Sequence, residues 1–155
     1  VNNFGKWFET LMSAVTFAEA DCPDDARKEM EGQTVLLVLT GREGDSRSFK
    51  YALNSSRRVG AALEILLFRQ EADKGEIDRE AARLSGVVNA KVNLLSRSGC
   101  TGRQVVDYIR KRKDVLYVVA DSRHILNAGC TEDGTPKGLW KKLKCPLVLV
   151  SEPGG

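Results

Sequence analysis

Apolar positions along the chain follow two different rhythms, and the change between them divides it. Between residues 4 and 20, Phe4, Trp7, Phe8, Leu11, Met12, Val15 and Ala18 recur at three- and four-residue spacing, the period of one helix face. Lys6, Glu9, Thr10, Ser13 and Thr16 take the opposite face, so the segment predicts an amphipathic helix. Pro23 cannot continue a helical ladder; with Asp24 it opens a short second helix to about Glu31, which Gly32 stops. From Gln33 onward the rhythm becomes short apolar runs alternating with helical patterns. Residues 34–40 (TVLLVLT), 63–68 (LEILLF), 90–96 (AKVNLLS), 115–120 (VLYVVA) and 147–151 (LVLVS) read as strands, the first as one buried on both faces. Between them the spacing predicts helices over about 46–59, 76–84, 103–112 and 136–143, the last opened by Pro136.

Strands alternating with helices require right-handed crossovers onto a parallel sheet covered on both faces. The expected fold is therefore a doubly wound α/β domain over residues 32–155, preceded by a helical extension over residues 1–31. Such a sheet binds ligands at the carboxyl ends of its strands, where the strand order reverses.

Composition narrows this picture without naming a function. The 155 residues are 42% hydrophobic and 29% charged, an ordinary globular balance. No apolar run approaches the ~20 residues of a membrane span. Glu9, Thr10, Ser13 and Thr16 interrupt any secretory leader, so a cytoplasmic protein is expected. The chain opens on Val1 rather than Met, so a natural start further upstream is an expectation. A net charge of +3 does not by itself call for nucleic acid. Cys22, Cys100, Cys130 and Cys145 form no CxxC pair, and with one histidine in the chain they read as free thiols rather than metal ligands.

The chain from about Thr34 to Ser151 resembles the universal stress protein family, with residues 1–31 outside the resemblance. The first strand, the helix carrying Ser48, Tyr51-Ala52-Leu53 and Arg57, and the second strand are similar to that family's opening; Cys145-Pro146-Leu147-Val148-Leu149-Val150 is similar to its closing strand. The resemblance implies a five-stranded sheet of order 3-2-1-4-5, with strands 1 and 4 at the switch point. It also implies a homodimer paired through the C-terminal strand. The ATP-binding branch of the family carries G-x2-G-x9-G-S/T just after strand 4 and an aspartate at the end of strand 1. Here the first pattern reads Asp121-x2-His124-x9-Gly134-Thr135, and the second position is Thr40, followed by Gly41. Glycines in that loop let backbone N–H groups approach phosphates without a Cβ between. Thr40, Gly41, Asp121, His124, Gly134 and Thr135 are thus the candidate ligand-binding residues, and ATP or AMP the candidate ligand. The aspartate and histidine imply weakened binding.

Other chemistry is thinner. There is no GxxxxGK(S/T) loop, and no nucleophile–base pair or carboxylate dyad, so a non-enzymatic regulatory module of stress-response type is expected. Two alternatives remain at this point: a nucleotide-binding protein with slow ATP hydrolysis, and an adaptor docking on a partner protein through the N-terminal helix. His124 can act as a phosphate partner or pH-sensitive gate, or bond backbone; Asp121 and Asp133 can coordinate a metal with Thr135 or cap turns, the turn reading being favoured; Ser98–Gly102 can start a helix or hold an anion. Cys130 is the thiol in the crevice loop. The runs Arg110–Lys113 and Lys137, Lys141, Lys142, Lys144 read as solvated cations at helix ends, not as a nucleic-acid surface.

Overall fold

The computed structural model describes residues 32–39, 45–69, 74–96, 101–121 and 143–150. The expected helices over 4–20, 23–31 and 136–143 lie outside the described residues, apart from Leu143. Five strands and three helices are described in strict alternation until the last strand: β1 (Thr34–Leu39), α1 (Asp45–Val59), β2 (Ala62–Arg69), α2 (Lys74–Val88), β3 (Lys91–Ser96), α3 (Thr101–Ile109), β4 (Val115–Asp121) and β5 (Leu147–Val150). All four pairings are parallel, and the sheet order is β3-β2-β1-β4-β5. That is the expected order.

Every residue of β1 is buried, as its unbroken apolar run demands. Its side chains alternate between two cores. Val35, Leu37 and Leu39 join Phe49, Ala52 and Leu53 of α1 and Ala81, Leu84 and Val88 of α2 on one face. Leu36 and Val38 join Val105 and Ile109 of α3 with Phe68 and Val118 on the other. The buried positions of α1, namely 45, 48, 49, 52, 53 and 56, trace one helical stripe. A hydrogen bond between the hydroxyls of Ser55 and Tyr117 ties this helix to β4.

The helix boundaries depart from expectation for local reasons. α1 starts at Asp45 rather than Ser46, with the carboxylate in the first turn where the helix dipole favours it. α2 continues past Leu84, because Ser85-Gly86 is tolerated there and Val88 extends the buried stripe. Both helices end in a left-handed cap: Gly60 (φ 81°) and Asn89 (φ 54°) let the N–H of Ala61 reach the Ser56 carbonyl and that of Ala90 the Ser85 carbonyl. α3 ends at Ile109, three residues early, where Arg110–Lys113 turns the chain into β4.

Candidate functional site

The strand order reverses between β1 and β4, so the crevice sits beyond Leu39 and Asp121. Leu37 pairs with Val119, and continuing that register by two residues brings the two strand ends level. Asp121 lies inside β4, not in the loop after it, and is only 3% exposed. Alternation places it on the same face as Val119, which is the face α1 covers. The amino end of α1, with Asp45 buried in its first turn, lies at the same end of the sheet. Two carboxylates therefore occupy the face and end where a phosphate would seek a helix N-terminus. Thr40, Gly41, His124, Gly134 and Thr135 lie outside the described residues, as do Asp133 and Cys130.

The densest polar cluster is at the opposite end of the sheet, and the residue patterns did not point to it. Glu64 stands in β2 with its side chain 7% exposed. Arg112 donates from Nη1 to both of its carboxylate oxygens, at 2.9 and 2.8 Å. Asn93 Nδ2 donates to Glu64 at 3.1 Å and to the Tyr108 hydroxyl at 3.0 Å, and that hydroxyl donates to Glu64. The same guanidinium donates from Nε and Nη2 to Asp114 at 2.9 and 2.6 Å. Asp114 also accepts from the Thr34 hydroxyl at 2.8 Å. Arg112 was expected among solvated cations; instead it is 24% exposed and ties β2 to the β1–β4 junction.

The electrostatics follow from this geometry. The hydrogen bonds from Arg112 hold the Asp114 carboxyl down to about 2, against an ordinary 3.8, despite some burial. The guanidinium is held more firmly protonated by Asp114 and Glu64. Burial, and then Glu64, push the Tyr108 phenol up to about 12. Asp114, Arg112 and Tyr108 thus keep their charge states across the neutral range, which suits a structural tie rather than proton transfer. The signal in the sequence was a lone acid within the run LEILLF: a charge in a buried strand must have a partner.

No family profile and no curated protein matches the sequence. Solved structures do match the fold. The universal stress protein UspA from Lactobacillus plantarum superposes with a TM-score of 0.52 at 15% identity, over 76% of this chain and 97% of its own. A universal stress protein from Archaeoglobus fulgidus gives 0.51 at 16% identity, over 76% and 96%. The fold is that of the universal stress proteins.

Within that fold, Asp121 is the candidate residue that the described structure positions, at the foot of the loop following β4. The two basic runs meet: Lys144 Nζ donates to the Arg110 carbonyl at 2.7 Å, an ordinary neutralisation of backbone acceptors near a helix end. Arg110 also pairs with Asp107 at 3.5 Å. Cys145 is a free, half-buried thiol whose pKa is raised by burial, the reverse of a reactive cysteine. Among the described residues, no three His, Cys, Asp or Glu side chains gather to hold a metal, and no helix is long and apolar enough to cross a membrane.

Proposed function

We propose that the chain is a cytoplasmic, non-enzymatic regulatory module of the stress-response type, with a nucleotide crevice that binds ATP or AMP only weakly, and that it acts as a homodimer. The observation that carries the reading is the buried Asp121, which ends β4 where ATP-binding relatives of this fold begin their glycine loop. The carboxylate there repels a phosphate that enters the crevice. Asp45, buried at the amino end of α1, supports the same sign. β5 is the last strand of the described sheet, next to β4, and its Leu149 is 38% exposed, which supports pairing with a second copy.

Calorimetric titration of ATP and AMP into the parent and into Asp121→Gly/His124→Gly tests this. The parent should bind ATP weakly, and AMP with a smaller handicap because it brings less phosphate charge; the double variant should bind ATP more tightly. Micromolar ATP binding by the parent, unchanged in the variant, refutes the reading, and steady release of inorganic phosphate from ATP refutes its non-enzymatic part.

A further inference from the structure

At the end of the sheet opposite the crevice, a groove of about 370 Å³ opens where the carboxyl ends of α1 and α2 converge over the start of β2. Its walls include the buried Leu53, Leu63 and Val88, and its lip is Val87, 50% exposed. Val87, Tyr51 and Leu149 are the large apolar side chains exposed in this way among the described residues. Arg57 and Asn89 line it too, and polar groups of the α1 cap are already engaged within its walls. Ser56 Oγ donates to the Leu53 carbonyl at 3.0 Å, and the Ser56 carbonyl accepts from Ala61 N–H in the α1 cap. Apolar walls beside two polar side chains suit the apolar face of an amphipathic segment.

Gly32 is part of the same wall. Its φ of +89° is a turn conformation that side-chain-bearing residues rarely adopt, and Ala62 N–H holds the adjoining Gln33 carbonyl at 2.9 Å. The chain upstream of residue 32 thus departs from the rim of this groove, and it carries the apolar stripe Phe4, Trp7, Phe8, Leu11, Met12, Val15 and Ala18. We infer that the groove is the seat of that stripe: residues 4–20 of the same molecule dock between the carboxyl ends of α1 and α2 and cover Val87. The connecting residues 21–31 reach roughly 16 Å if helical and up to about 36 Å if extended, so the segment can return to its own point of departure. Tethering keeps it at an effective concentration in the millimolar range, where modest apolar contact suffices. A lipid surface is the poorer occupant, because the polar face of 4–20 has a single lysine in place of a basic stripe.

The test uses the full chain with Trp140→Phe, which leaves Trp7 as the sole tryptophan. Trp7 should emit at short wavelength and resist acrylamide. Val87→Asp, at a site already half exposed, should move the emission to the red and raise the quenching constant several-fold, with the far-ultraviolet spectrum unchanged; Val87→Leu should keep Trp7 shielded. Hydrogen exchange on the otherwise unaltered chain reads the same event: protection over 4–20 should be lost with Val87→Asp. Trp7 as quenchable in the native protein as in urea overturns the inference. So does shielding that Val87→Asp leaves intact, or shielding that disappears on dilution, which would place the segment on a second molecule.

Discussion

Removing the Arg112 side chain should be among the most damaging single changes available outside the two apolar cores. Arg112→Leu takes four charge-assisted hydrogen bonds from two carboxylates at once. The two carboxylates do not suffer equally. Asp114 is about a third exposed and keeps the Thr34 hydroxyl, so water replaces much of what it loses. Glu64 is 7% exposed and would be left with only the neutral donors Asn93 and Tyr108. Breaking a buried pair from one side costs about 3–5 kcal/mol, and the surviving donors put this case near the lower figure. In urea, with a slope of about 1.5 kcal/mol per molar, about 3 kcal/mol moves the unfolding midpoint by roughly 2 M.

The companion variant makes the reasoning refutable. Glu64→Leu removes the buried acid instead, leaving Arg112 its pair with Asp114 and part of its solvent. Combining Glu64→Leu with Arg112→Leu removes both charges, so the double variant should be less damaged than the two single costs added together, by about 2 kcal/mol. Equilibrium unfolding of the four proteins closes the cycle. Strict additivity, or a cost below about 1 kcal/mol for Arg112→Leu, would show that the cluster is a surface ornament and not a tie.

Acid should weaken the fold through Asp114: because its folded pKa of about 2 lies below the ordinary 3.8, its contribution is present above pH 4 and disappears as the pH falls towards 2. Allowing for its exposure, about 1 kcal/mol is at stake, and Asp114→Asn should flatten that part of the pH–stability curve. At the other extreme, one of the three tyrosines should ionise only near pH 12 in a spectrophotometric titration, with stability lost as the pH rises from 10 towards 12; Tyr108→Phe should abolish the late step, and a single transition near 10 would contradict the geometry. Sedimentation should give a dimer for the parent and a monomer for Leu149→Lys, which places a charge at the exposed side chain of the last strand of the described sheet; a dimer in both would remove β5 from the interface.

Much of the fold was legible because burial imposes a pattern. A strand covered on both faces cannot alternate, and TVLLVLT does not; a helix lying on a sheet must repeat its apolar positions, and Phe49, Ala52 and Leu53 do. Helix ends were less legible because they depend on tertiary context. Ser85-Gly86 reads as a stop, yet Val88 has a core to reach, so α2 runs on. The ionic cluster was hidden for a related reason. Glu64, Asn93 and the stretch Tyr108–Asp114 are three separate segments, and no local spacing brings Glu64 and Asn93 to that stretch until the sheet order is known. Arg112 in particular sits in a basic run whose neighbours Arg110, Lys111 and Lys113 are exposed, and nothing in the run distinguishes it.

Asp121 shows how burial changes the reading of a motif position. In the sequence it is the first residue of a glycine-loop pattern, and its effect on phosphate could be steric or electrostatic. Its place inside β4, on the face that α1 covers, separates the two. A Cβ within a strand is already accommodated by the sheet, so replacing it with glycine clears little space. The charge, by contrast, lies at the end of the sheet where a triphosphate would bind. Two unit charges ~4 Å apart at an effective dielectric near 20 repel by about 4 kcal/mol, close to three decades of affinity. Asp121→Asn keeps the Cβ and removes the charge. If repulsion dominates, Asp121→Asn should recover most of the ATP affinity gained by Asp121→Gly, in a calorimetric comparison at one salt concentration. An asparagine variant that binds no better than the parent, beside a glycine variant that does, would assign the handicap to crowding and overturn the electrostatic account.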